Sequence, residues 1–147
     1  MRQSKLQARA AHIELLARQH GIVVTSTRGA SGRAYGREQR IVISPVRGPV
    51  SYAVALHALG HLIATGAAGP QHKQLIREIL AWRWARRAAL EWTERMDAAM
   101  QRSLGVYVRR LERRRRHIEP EVYLLLRLVL QDLKSIFSWK SQKRLDG

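Results

Sequence analysis

The chain of 147 residues contains no cysteine. No disulfide framework can form, and a thiolate metal site is excluded, so any zinc ligands must be histidine or carboxylate side chains. Acidic residues are scarce: 11 Asp and Glu stand against 27 Lys and Arg, a formal net charge of +16. Such an excess favours polyanionic partners, because phosphates release their counterions when basic side chains neutralise them. The competing explanation is a generally arginine-rich composition with no nucleic-acid role. Long apolar runs are also missing, and no stretch approaches the roughly 18 residues of a membrane span. The opening stretch, MRQSKLQARAAHIELLARQHG, is charged throughout and lacks the apolar centre of a secretory signal. A cytoplasmic protein without membrane contact is expected. Gly29, Gly32 and Gly36 match neither G-x-G-x-x-G nor a phosphate loop ending in GK[ST].

What is present points to one stretch, SYAVALHALGHLIAT, over Ser51–Thr65. His57 and His61 stand four residues apart, slightly more than one helical turn, so both imidazoles leave the same face. Two neutral imidazoles one turn apart can share a Zn²⁺ ion, which needs three or four ligands in total. Val54, Ala55, Leu56, Leu59, Leu62 and Ile63 surround the pair and predict a largely buried helix. Buried imidazole nitrogens need partners, and two core histidines satisfied by hydrogen bonds are the competing expectation. Gly60 costs about 1 kcal/mol against alanine inside a helix, and its presence predicts that another segment passes close by. The residue after the first ligand is commonly a Glu acting as general base. Here it is Ala58.

Around this stretch the pattern predicts a helix over residues 2–20. Leu6, Ala10, Ile13, Leu16 and Ala17 form its apolar stripe, with Arg2, Lys5, Arg9 and Arg18 largely outside, and Gly21 stops it. Strands are expected at Ile22–Thr25, around Arg33–Tyr35 and at Gln39–Ser44; Pro45, Gly48 and Pro49 then turn the chain into the histidine helix. Arg28, Arg33 and Arg37 lie in a glycine-rich stretch that reads as a solvated loop, with phosphate contact as the alternative.

Residues 66–72 read as a loop, followed by a long helical segment from Lys73 to about Met100 with Leu75, Ile76, Ile79, Trp82, Ala85, Ala89 and Trp92 at helical spacing. Glu78 shares a face with Ala81, Trp82 and Ala85, where a carboxylate is costly unless paired or bound to metal. It is a candidate third ligand; the alternative is an exposed Glu78 bridging to Lys73, Arg77 or Arg83. His72 is a rival for the same role. Thr93–Glu94 with Asp97 opens a new helix or continues the old one. Met96, Met100, Leu104, Val108 and Leu111 give a thin apolar seam beyond it. Arg109, Arg110, Arg113, Arg114, Arg115 and Arg116 form a basic run suited to phosphates or an acidic partner, or else a solvated face. Tyr107 is the only aromatic beside it, which gives no support to base stacking. Glu119-Pro120-Glu121 starts a last helix, with a stripe of Val122, Leu125, Leu126, Val129, Leu133, Ile136 and Phe137 that completes the core or forms a homodimer seam. Residues 140–147 read as a polar end.

SYAVALHALGHLIA followed by EILAWRWA resembles the ImmA/IrrE-type metallopeptidase domain, in which an HExxH helix is often followed by a helix opening with E-x-x-A. The resemblance covers roughly residues 5–92. It implies an α+β, mostly helical fold: an N-terminal helix, a small β-sheet, a zincin-like histidine helix, then long C-terminal helices. Residues 1–92 would be the metallopeptidase-type domain and 93–147 a basic helical extension packing on the same core. It also implies that His57, His61 and Glu78 are zinc ligands. The family type is a cytosolic, often phage- or mobile-element-associated protein that cleaves a DNA-binding repressor, so the implied partner is a protein substrate or regulatory protein. Ala58 stands where the family has its catalytic Glu. Loss of a general base typically costs about 10²–10⁴ in rate. The expectation is therefore a degenerate or weakly active domain, unless Glu38, Glu91 or Glu94 substitutes; the alternative is a basic DNA- or protein-binding module without catalysis.

Overall fold

The computed structural model describes residues 4–29, 32–65, 74–114 and 117–129. Among them the chain forms α1 (Lys5–Gln19), β1 (Val23–Ser26), β2 (Gly32–Tyr35), β3 (Arg40–Ile43), α2 (Pro49–Ile63), α3 (Gln74–Ala88), α4 (Glu94–Arg113) and α5 (Pro120–Val129), an α+β fold dominated by helix. Helix α1 begins on a capping box: the Ser4 hydroxyl accepts from the Gln7 N–H, and the Gln7 side chain accepts from the Ser4 N–H. It ends where Gly21 takes a left-handed φ of 64°. That turn lets the Ile22 N–H reach Ala17 O and the Gly21 N–H reach Arg18 O, the paired bonds of a Schellman stop. Ile22 and Ala17 thereby both enter the core.

The sheet has the order β1-β3-β2, with β1 parallel and β2 antiparallel to β3. Ile41 and Ile43 point from β3 into the core, as the alternation of a half-covered strand requires. Helix α2 is the hub and packs against α1, β2, β3, α3 and α4. Its start is held by Ser51, whose hydroxyl accepts from the Arg47 and Gly48 N–H groups, and Pro49 occupies the first turn, where a missing N–H is harmless. Tyr52, Ala53, Ala55, Leu56, Ala58 and Leu59 are all buried. Gly60 marks the closest crossing: a Cβ there would sit 2.5 Å from Ala81 O of α3. The glycine thus lets two backbones meet, as its placement in the helix predicts.

Two expectations need correction. The segment from Lys73 to Met100 is not one helix, since α3 stops at Ala88 and α4 starts at Glu94. Side chains hold the break open. The Tyr52 hydroxyl takes the Leu90 N–H at 3.0 Å, and the Thr93 hydroxyl caps α4 through the Met96 N–H. Trp92, placed by its spacing on the long helix, lies in the connection and donates its indole N–H to Asp97. Arg9 is likewise not outside the stripe of α1 but buried, because its guanidinium pairs with Glu91 from that same connection.

Met96, Met100, Leu104 and Val108 of α4 are buried in the same cluster as the residues of α2, so this part of the chain contributes to one core. Val122 and Leu126 of α5 join them. Leu133, Ile136 and Phe137, the 66–72 stretch with His72, and Arg115 and Arg116 lie outside the described residues. No helix among the described residues is long and apolar enough to cross a membrane.

Candidate metal centre

The hub helix and α3 bring His57, His61 and Glu78 together. His57 Nε2 lies 2.9 Å from Glu78 Oε2, and His61 Nε2 lies 3.2 Å from Glu78 Oε1. One ligand atom from each residue falls within 4.8 Å of the others. The three side chains are 15%, 18% and 7% exposed. Each position has a cause in the chain. The one-turn spacing aligns the two imidazoles on α2. The Gly60–Ala81 crossing brings α3 close enough for a short-reaching carboxylate one turn before it, at Glu78, to meet both rings. Trp82, one turn after Glu78, stacks on His57 with centroids 4.1 Å apart and planes 9° apart. Its indole N–H donates to Ser103 of α4 at 3.2 Å, which fixes the wall against which His57 rests. An exposed Glu78 bridging to basic neighbours is therefore not what the fold contains: Glu78 is buried and faces the histidines.

The contacts are close but incompletely bonded. Neither His57 Nε2 nor Glu78 Oε2 has an aligned hydrogen-bond partner, although the two atoms are only 2.9 Å apart and both are buried. Orphaned buried polar atoms are rare and costly. A cation held among the three ligand atoms would satisfy both of them. Separations near 3 Å are also of the order that zinc bonds of about 2 Å can span, so the donor set fits such an ion.

The protonation states suit a cation. Burial lowers the His57 pKa from its ordinary value, against the opposing pull of Glu78, which keeps the imidazole neutral near pH 7. Burial alone would push the Glu78 carboxyl up; the polar contacts and charge of His57 and His61 outweigh it and hold the pKa at about 2. A neutral His57 imidazole beside a buried carboxylate leaves a negative charge that a cation would neutralise.

Sequence reasoning missed one participant. Tyr107 of α4 interacts with Glu78: burial first, then the charge and polar contact of Glu78, raise its pKa against the opposing pull of Arg110 and Gln74. A signal was there: Tyr107 sits one turn from Leu104 and Leu111 on the seam of α4, and a tyrosine on a buried seam needs a partner for its hydroxyl.

The substitute bases do not reach the site. Glu38 pairs with Arg40 at 2.7 Å beside the β2–β3 turn, Glu91 pairs with Arg9 and with Lys5 at 3.6 Å, and Glu94 is exposed in the first turn of α4. Ala58 is 2% exposed, with its methyl towards Gly32 of β2. The described part of the arginine run does not form one face either. Arg110 and Arg114 line a cavity between α3, α4 and α5, with Arg110 over the Tyr107 ring at 5.4 Å. Arg109 and Arg113 occupy a different row of the helix, and the Arg109 guanidinium lies close to Gly105. Arg28, Arg33 and Arg37 are all exposed. No protein-family model matches the chain, and no curated protein or solved structure matches it either.

Proposed function

We propose that the chain binds one zinc ion through His57, His61 and Glu78 and acts on, or docks, a protein substrate or regulatory protein as a metallopeptidase-like domain that has lost its general base. The observation that carries this reading is the pair of buried, orphaned ligand atoms 2.9 Å apart within a His-His-Glu group. Zinc held there would supply Lewis acidity and a bound water of lowered pKa. The chain's own residues do the rest. Trp82 fixes the ring plane of His57, and Tyr107 of α4 adds a polar partner for the Glu78 carboxylate. Orienting partners of this kind typically change metal affinity about 10–100-fold. Ala58 offers no group to take a proton from water, so an efficient peptidase is not part of the proposal.

The reading is tested by metal analysis of protein purified without a nickel column. One zinc per chain, lost in His57→Ala and in Glu78→Gln, supports it; a chain that takes up no zinc removes it and leaves a polar contact between α2 and α3. Metal-dependent cleavage of a protein at full speed by the native chain would overturn the loss of the base.

A further inference from the structure

A cavity of about 460 Å³ opens beside the triad, between the start of α3, the end of α4 and the start of α5. Its floor is aliphatic: Leu75 and Ile76 from α3, Leu111 from α4, Ile118 and Val122 around the start of α5. Its polar rim is cationic, with Arg110 and Arg114 one turn apart on α4 and His117 beyond them. Glu119, an acidic lining residue, is engaged in an interaction of its own. Tyr107 joins the two places, since it lines the cavity and interacts with Glu78.

We infer that this cavity holds an acidic peptide segment, with aliphatic side chains on the floor and a carboxylate between Arg110 and Arg114. The inference names the substrate class of the proposed zinc site and rests on that reading. Two arginines one turn apart offer planar donors that match a carboxylate. The aliphatic floor separates a peptide from a nucleic acid: a phosphodiester backbone has no group to bury there, while leucine-like side chains do. Base stacking has little to use, because the aromatic ring on the wall, Tyr107, already lies under Arg110. The other row of the same helix, Arg109 and Arg113, is exposed and does not line the cavity, which provides an internal control of equal charge.

The test uses the full chain and fluorescence anisotropy of three labelled probes: a Leu-Leu-Glu-Leu amide, its Leu-Leu-Gln-Leu counterpart, and an oligothymidine. They are measured with excess zinc and again with a chelator. The Glu peptide is expected to bind roughly tenfold or more tightly than the Gln peptide, the size of a charge-assisted hydrogen-bonded contact. The double variant Arg110→Gln/Arg114→Gln abolishes that preference, while Arg109→Gln/Arg113→Gln, which removes the same net charge, keeps it within about twofold. Equal binding of the two peptides, equal losses in the two double variants, absence of peptide binding, or preferential binding of the oligothymidine overturns the inference. A preference for the Glu peptide that persists in chelator, in a chain that takes up no zinc, upholds the cavity and overturns only the metal reading.

Discussion

Helix α2 carries two partly buried histidine contacts of different kinds. Near its start, Tyr52 meets His12 of α1: the hydroxyl shares a 2.7 Å hydrogen bond with His12 Nδ1 and accepts the Leu90 N–H at 3.0 Å. Burial lowers the His12 pKa, so the ring is neutral, as a satisfied structural histidine should be. Two turns later, His57 and His61 meet Glu78 at similar separations, yet His57 Nε2 and Glu78 Oε2 are left without aligned partners. The carboxylates differ in the same way. Glu91 faces two cations, Arg9 and Lys5, whereas Glu78 faces two imidazoles, at least one of them neutral near pH 7. Burial alone does not distinguish a structural histidine from a ligand. The completeness of its hydrogen bonding does, and by that measure the first contact is closed and the second is open to a cation.

The largest effect expected from this contrast is on zinc. Glu78→Gln or His57→Ala removes a ligand outright and should weaken zinc binding by more than about 100-fold, since loss of an orienting partner alone costs 10–100-fold; His12→Ala should leave zinc content unchanged. Elemental analysis after dialysis against a chelator-buffered solution reads both. Next is Gly60→Ala. The added methyl would press on Ala81 O at 2.5 Å, backbone against backbone. A loss of roughly 1–3 kcal/mol is expected from overpacking, together with weaker zinc binding as α3 is pushed from α2, read by denaturant unfolding and the same dialysis. Unchanged stability would show that the crossing is not tight.

The Tyr52→Phe change sharpens the other side. It strips the Leu90 N–H and His12 of their shared partner and should cost about 1–2 kcal/mol while leaving zinc untouched. The smallest effect is on pH. In zinc-free protein the Glu78 pKa is depressed from 4.5 to about 2. Its contribution to stability is therefore full above pH 4.5 and fades as pH falls through that window, because the unfolded carboxyl takes up its proton first. The wild-type acid limb between pH 4.5 and 2 should be steeper than that of Glu78→Gln, measured by thermal melts; identical limbs would mean that Glu78 is not held as an anion.

Much of this was legible in the residues themselves. Periodicity marked α1 and α2, β-branched runs marked β1 and β3, and Gly60 announced the close helix crossing. The spacing of His57 and His61 marked the pair, while the apolar neighbours of Glu78 made it a candidate third ligand beside its rival His72. A new helix start at Thr93–Glu94 was one of two readings, but the stop after Ala88 was hidden, because Ala89 and Trp92 continue the apolar spacing while Tyr52 imposes the stop from a distance. Arg9 was misplaced for a related reason: local pattern assigns a charged side chain to solvent, and only the arrival of Glu91, far along the chain, makes its burial affordable. The basic run looked uniform in sequence, yet only two of its described members, Arg110 and Arg114, turn to the cavity. Such divisions depend on how α4 is rotated against α3 and α5, which spacing along one helix does not specify.

The central claim, that an unfinished set of polar contacts on α2 and α3 is a zinc site, is tested most directly by competition with a chromophoric zinc chelator. The account predicts one tight site per chain in the wild type and in His12→Ala, and none in Glu78→Gln. Equal zinc uptake by wild type and Glu78→Gln, or no uptake by either, would contradict it.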